Sequence, residues 1–399
     1  MSSLDNDSTA ELLTNRVNKA RLETRQLYQQ IDKVKAKIQD TTLQDCTTNM
    51  PAISRGSVNL KPFQILRGHN NKIADFKWGK DSRSILSCSQ DGFLIVWDAV
   101  TGMKLSAVPL DSQWVLSCAY SPNQRLVASA GLTNNCTVYS LPSMDGDDAF
   151  QQRIVNVFKG HVCGITACDF ISDNTILTAS GDLTCARWDI TKGRKVGEYL
   201  DHFGDVLCID IDRNSVNSGD CVFVSGASDG YARVWDTRSP AAAQMFFVSN
   251  SDVTAVKFFK DGNSFVTGSD DGLIRLYDLR ADCELSRYTL PNNHLHGQPA
   301  TTPFSAQRSH RPASLEDMNT SVLDASGVNS LDFSSSGRLM YASYADHGCV
   351  VWDTLRAEVV DHLEGHSNRV SKVATSPDGF AVCTASWDTT MRVWTPAYA

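Results

Sequence analysis

The chain has 399 residues, 42% of them hydrophobic and 21% charged, with a formal net charge of −8. That is the composition of a folded protein with a large core, and its acidic balance excludes a surface built to wrap nucleic acid or coat an anionic membrane. No run approaches the roughly eighteen apolar residues of a membrane span.

No secretory pattern stands at the N-terminus, and the termini carry neither a myristoylation glycine nor a prenylation box. Any membrane attachment is therefore expected through a partner. The 12 cysteines are scattered through strand-like runs, which reads as buried, reduced thiols of an intracellular protein.

Residues about 9–39 read as one helix. Leu13, Val17, Ala20, Thr24, Leu27, Ile31, Val34 and Ile38 alternate in steps of four and three, the a/d spacing of a coiled coil held for about four heptads. A lone helix cannot bury that seam, and no second heptad stretch exists in the chain to cover it. A helix from another chain is expected to pair with residues 1–40; packing on its own domain is the alternative. Residues 41–60, rich in Thr, Asn and Ser and broken by Met50-Pro51, read as a linker. A short strand at Phe63–Leu66 then precedes Gly68-His69.

From residue 61 to 399 one pattern recurs: small residues, Asp-Gly or a relative of it, then an apolar run closed by Trp-Asp. It stands clearest at Ser87–Asp98. The closing aromatics are Trp97, Tyr139, Trp188, Trp235, Tyr277, Trp352 and Trp394, spaced by 42, 49, 47, 42, 75 and 42 residues. A unit of this length is the four-stranded blade of a β-propeller, so the expected fold is all-β, a seven-bladed propeller after an N-terminal coiled-coil helix. Trp394 ends the last copy almost at the C-terminus, and Phe63–Leu66 is available as its missing outer strand. The 75-residue gap carries an insertion at about 291–320, rich in Pro, Asn, His, Ser and Thr. It is expected to be a disordered surface loop, with Thr302 and Ser314 as candidate phosphosites. A smaller loop at Asp212–Asp220 accounts for the long fourth repeat.

Four repeats hold His, Ser/Thr, Asp and Trp in register. They are His69, Ser87 or Ser89, Asp91 and Trp97; His161, Ser180, Asp182 and Trp188; His202, Ser225, Asp229 and Trp235; and His366, Thr384 or Ser386, Asp388 and Trp394. Such a set invites a hydrolase reading, but an enzyme needs one triad rather than four at the blade period. The expected role is a buried network locking each blade. Repeats two, five and six lack the His and are expected to hold by packing alone. No Walker A, Rossmann or HExxH motif appears, and Cys163-x4-Cys168 has no matching ligand pair, so no cofactor, metal or catalytic residue is expected. What remains is surface. Trp114 and Trp387 fall outside the repeat's own Trp slot, as binding hot spots would. Asp205, Asp252 and Asp270 suggest a basic partner segment.

Taken together, the heptads, Leu66–His69, Ser87–Asp98, Gln113–Val115, Thr267–Asp282, Gly365–Val370 and Ala385–Asp388 resemble the β subunit of heterotrimeric G proteins, a WD-repeat (WD40) family. The insertion resembles that of β subunits in fungal mating-pheromone pathways. The resemblance implies a non-enzymatic transducer whose N-terminal helix pairs with a prenylated γ subunit, which supplies the membrane anchor on the cytoplasmic face. It implies that one propeller face binds a GDP-loaded α subunit, and that receptor-driven exchange frees the face for effectors such as a MAP-kinase scaffold and its kinases. The family's α-contact positions fall on Lys72, Ile95, Lys104, Trp114, Leu132, Asn134, Asp205, Asp252, Asp270 and Trp387, with Leu116 and Leu207 conservative and Gln113 a minor change. Phe93, beside Ile95, is expected to face the α subunit's helix although the family has a lysine there. Ala74 and Gly164 stand for tyrosines and Val162 for a threonine. A general WD40 scaffold, kinase-anchoring or ubiquitin-ligase adaptor, is the alternative.

Overall fold

A computed structural model describes residues 51–56, 58–141, 153–217, 221–290 and 326–397, with separate positions between Arg16 and Met50. Two compact units are distinguished, Met1–Met50 and Pro51–Ala399. In the first, Arg16, Val17, Lys19, Ala20, Leu22, Glu23, Gln26, Leu27, Gln30 and Lys33 are helical, and Leu43–Cys46 forms one turn of helix. Val17 and Leu27 of the expected seam are exposed. Leu13, Ile31, Val34 and Ile38 lie outside the described residues, as do the 291–320 insertion, Thr302 and Ser314.

The second unit is the expected propeller. Its described strands form seven four-stranded antiparallel sheets, six of them simple meanders, and the innermost strands of neighbouring blades touch around the whole ring. Blade one runs Ile73–Trp78, Ser84–Ser89, Phe93–Asp98 and Lys104–Pro109. Blade seven is built from both ends of the unit: Leu60–Arg67 pairs antiparallel with Thr390–Pro396, outside Val382–Ser386 and Val370–Thr375. The closing strand is longer than Phe63–Leu66. Its approach also belongs to the ring rather than to a free linker, since Gly56 N–H donates to Val360 O and Arg338 reaches Pro51 O. The loop expected at Asp212–Asp220 begins with a helical turn, Arg213–Asn217.

In blade one the second and third strands are buried on both faces, so small and apolar residues run almost unbroken along them. A polar belt ties the inner strands together. Asp75 takes Ser117 Oγ of blade two at 2.9 Å and Lys372 of blade seven at 3.5 Å. Ser117 Oγ accepts Cys168 N–H of blade three. Asp169 meets Lys77 at 3.1 Å and Arg213 at 2.9 Å; Lys257 meets Asp210 at 3.1 Å and Asp332 at 3.9 Å. Thr375 of blade seven donates to Asp332 and completes the circuit. Burial alone would raise the Asp169 carboxyl, but Arg213 and Lys77 outweigh it and hold it well below the usual range.

The blade networks form, with one change of residue. In blade one, His69 Nδ1–H donates to Asp91 at 2.9 Å, Nε2 accepts from Ser87 Oγ at 2.7 Å, and Trp97 Nε1–H donates to the same oxygen at 2.8 Å. The carboxylate accepts only, and that assigns the tautomer. Burial works to raise the Asp91 carboxyl; the His69 N–H and the Asn70 amide outweigh it and hold it low. In blade three the hydroxyl is Thr178, not Ser180: it lies 2.8 Å from His161 Nε2 and 2.9 Å from Trp188 Nε1. Ser180 bonds the carbonyls of Cys163 and Gly164 instead. Blade seven uses Thr384, at 2.8 Å from His366 and 2.9 Å from Trp394. Blade four edits the pattern. The buried Arg233 reaches Asp229 at 2.6 Å and faces His202 Nδ1, so the ring proton belongs on Nε2, which donates to Ser225 Oγ.

Packing alone does not hold blade five. Ser249 takes the histidine's place and donates to Asp271 at 2.8 Å, while Arg275 bonds Ser269 and Asp271. In blade two Asp111 stands at the histidine's place, and a cavity of about 90 Å³ opens among Asp111, Ser129, Thr137 and Tyr139. Every cysteine is a free thiol, and only Cys46 and Cys163 are exposed.

Replacing Thr178 by Val leaves an imidazole nitrogen and an indole N–H buried without their shared partner. The expected cost is about 2 kcal/mol or more of unfolding free energy, read by denaturant titration of the full chain; an unchanged midpoint would contradict the network's structural role. Burial pushes His202 and His366 below the ordinary imidazole value, despite Asp229 and Asp388. Their contribution to stability is therefore present above about pH 6.5 and lost as pH falls through their native values, because the unfolded chain takes up the protons more readily. The thermal midpoint should fall between pH 7.5 and 5.5, and a flat profile would contradict it.

Candidate functional site

In each blade the connection to the inner strand and the turn between second and third strands lie at one end of the ring. Each pair is fastened alike. The residue before the inner strand accepts, through its carbonyl, the N–H of the residue just after the second strand. The pairs are Lys72/Gln90, Trp114/Leu132, Gly164/Gly181, Asp205/Ser228, Asp252/Asp270, Gly327/Ala345 and Arg369/Trp387, all at 2.9–3.0 Å. These positions form a rim round the channel mouth, with backbones fixed by the ladder and side chains left free for other work.

The rim has a polarity map. Across the seam of blades seven and one, Lys72 Nζ lies 4.0 Å from the Trp387 ring centroid and Arg369 Cζ lies 5.2 Å from it. Two cations attracted to one indole hold it in a single orientation. Arg369 is held in turn by Asn329. Blade two adds an apolar pair, Trp114 at 60% exposure and Leu132 at 54%. Gly164 and Gly181 leave blade three bare; a β-carbon on Gly164 would come within 2.9 Å of Leu132 Cδ2. Blades four and five are acidic through the exposed Asp205, Asp252 and Asp270.

Seven of the sequence-named contact residues thus converge on the rim: Lys72, Trp114, Leu132, Asp205, Asp252, Asp270 and Trp387. Gln113 is exposed beside Trp114, and Asn134 fastens blade two to blade three by donating to Val162 O at 2.8 Å. Leu116 and Leu207 are half-buried at the second position of their inner strands, the place that Ala74 takes in blade one. Phe93 and Lys104 belong to the third and outer strands of blade one, and Lys104 Nζ donates to Gly68 O at 2.9 Å. Ile95 differs from the expectation. It is 3% exposed and packs with Leu66, Ile73 and Trp97, because both faces of this strand are covered by neighbouring blades; the buried Arg233 and Arg275 hold the same position in blades four and five. Sequence reasoning did not single out Phe203, 83% exposed; its one signal is a large aromatic directly after the blade histidine.

The four hydroxyl–imidazole–carboxylate sets are enclosed within blades, and their hydroxyl oxygens are each committed to a buried indole N–H. That geometry serves packing. Among the described residues no cluster of His, Cys, Asp or Glu could hold a metal ion, and no helix is long and apolar enough to cross a membrane.

Comparison with known proteins accounts for the whole arrangement. The family described as "G protein beta WD-40 repeat protein" matches residues 14–326, and the WD domain, G-beta repeat, matches residues 319–353 and 357–395. A guanine nucleotide-binding protein subunit beta of Saccharomyces cerevisiae is 50% identical, over 99% of this chain and 94% of its own. The G(I)/G(S)/G(T) subunit beta-1 of Homarus americanus is 38% identical over 95% and 99%, and a subunit beta of Dictyostelium discoideum 37% over 96% and 99%. These are non-enzymatic signalling proteins, and the chain belongs to their family, the β subunits of heterotrimeric G proteins.

Proposed function

We propose that the rim is the α-subunit surface of this β subunit, and that effectors use it once α leaves. The observation that carries this reading is the convergence of Trp114 and Leu132, both exposed, and the half-buried Trp387 on one face, large apolar groups on backbones fixed by the ladder. Side chains of that kind lose little entropy on being covered, which is the physical character of hot spots. A partner's GDP state binds the rim. Exchange to GTP weakens its hold, and by linkage any ligand of the freed rim competes with α·GDP.

The N-terminal helix supplies the second contact. Its seam, with Val17 and Leu27 exposed, suits a γ-subunit helix in a coiled coil, and a prenyl group on that γ would hold the complex at the cytoplasmic face of the plasma membrane. A pheromone-response pathway, ending in a MAP-kinase scaffold and its kinases, fits the identity pattern. The yeast subunit matches at 50% where the crustacean and amoebal ones match at 38% and 37%. The insertion at 291–320, with Thr302 and Ser314, would be a place for regulation by kinases.

The test is a binding assay on the full chain co-expressed with γ. Binding of α should be retained with GDP and lost with a non-hydrolysable GTP analogue. Trp114→Ala and Trp387→Ala should each cost ~2 kcal/mol or more of α·GDP affinity without lowering the thermal midpoint. Unchanged affinity in both variants would remove the rim from the interface.

A further inference from the structure

Blade two keeps the frame of its neighbours and drops what fills them. Its register sets Ser129 opposite Thr137, where blade one has Ser87 opposite Ile95, blade four Ser225 opposite Arg233 and blade five Thr267 opposite Arg275. Tyr139 takes the place of the blade tryptophan, Asp111 that of the histidine and Thr133 that of the turn aspartate. The imidazole of blades one, three, four and seven is therefore missing. So is the guanidinium that Arg233 and Arg275 bury in blades four and five. What is left is the cavity of about 90 Å³, several times the roughly 10–15 Å³ that one water needs.

The lining holds polar groups with little to do. Ser129, Thr137 and Tyr139 are buried, at 9%, 9% and 5% exposure. In the place of Ser129, Ser87 and Thr178 each serve an indole N–H and an imidazole. Ser129 has neither; it and Thr137 meet the Tyr139 phenol instead. Asp111 is the single charged residue of the lining and is exposed. Burial raises the Tyr139 phenol and the Asp111 charge adds to the rise, so the carboxylate's field reaches the cavity. Thr133, also exposed, lines it too, so the space opens to solvent at the rim end of the blade.

These groups select a guest. An anion is repelled by Asp111, and an apolar guest leaves a carboxylate and three hydroxyls unpaired. Blade five shows what fits between such strands: Arg275 donates to the Ser269 hydroxyl at 3.1 Å and to the Asp271 carboxylate at 3.3 Å. A planar guanidinium, with five N–H donors in a fixed fork, satisfies hydroxyls and a carboxylate at once.

We propose that the blade-two cavity is a binding site for an alkylguanidinium group supplied from outside the chain, with its N–H groups donating to Ser129, Thr137 and Asp111. The group belongs either to a free molecule or to an arginine side chain of a polypeptide lying on the rim. This site goes beyond the proposed function and does not depend on α binding.

The test uses the full chain co-expressed with γ and labelled with 3-fluorotyrosine, the Tyr139 fluorine signal being identified by its loss in Tyr139→Phe. Methylguanidinium should shift that signal saturably, and N-methylurea, of the same shape without the charge, should bind at least about tenfold more weakly. Asp111→Asn should weaken methylguanidinium by about tenfold or more and flatten its salt dependence. Thr137→Arg with Thr133→Asp, which copies blade five, should abolish binding and raise the thermal midpoint by filling the cavity; if that variant misfolds, Asp111→Asn still decides. A capped Gly-Arg-Gly peptide separates the sources: binding as tight as methylguanidinium's supports a side chain, and binding of methylguanidinium alone supports a free molecule. No saturable shift with methylguanidinium, equal binding of N-methylurea, or unchanged binding in Asp111→Asn would overturn the proposal.

Discussion

The pairing of Leu60–Arg67 with Thr390–Pro396 is the constraint on which the rest depends. A strand from the start of the ring completes the blade at its end, so the chain cannot open blade seven without also losing the first connection. That removes the free edge an unfinished blade would expose, and it fixes the angular place of all seven blades. Only in a closed ring do Lys72 of blade one and Arg369 of blade seven meet over one indole.

Two layers of polar contact divide the work between them. Inside, the circuit through Asp75, Asp169, Asp210 and Asp332 ties inner strands to one another, so that blades do not slide along the axis. Within blades, the histidine networks lock the turns that carry the rim. The two layers together explain how large apolar side chains can stand in water on a rigid frame. A surface Trp on a frayed loop would gain affinity only after ordering that loop; here the backbone hydrogen bonds at 2.9–3.0 Å have already ordered it.

Much of this was legible in the sequence, because tryptophan spacing reports blade period and a propeller's topology follows from its period. The unfinished last repeat and the spare strand before the first Gly-His likewise point to one closure. Three details escaped for local reasons. Thr178 and Ser180 lie two apart on one strand and point the same way, so only the register against Trp188 decides which hydroxyl the indole reaches. Ile95 is buried like its neighbours Leu94 and Val96, and its place in the packed strand follows from pairing with Ser87 and Ala107 rather than from its own character. Ser249 and Arg275 rebuild the missing network of blade five from residue types that do not resemble the motif. Among the contact residues, those at rim positions were readable because the repeat does not require a Trp or Leu there.

A face assembled from seven fixed pairs can serve partners in turn, since its frame need not change between them. What differs from sector to sector is chemistry: cations and an indole at blades seven and one, apolar groups at blade two, carboxylates at blades four and five. The most direct measurement places a photo-crosslinking residue at single sites of the full chain with γ: Leu132 and Gln90 on the rim, and Phe380 at the opposite end of blade seven. Mutually exclusive use of the rim predicts crosslinks to α from Leu132 and Gln90 in GDP, their disappearance with a GTP analogue, and none from Phe380 in either state. Crosslinks from Phe380 with a silent rim would contradict it.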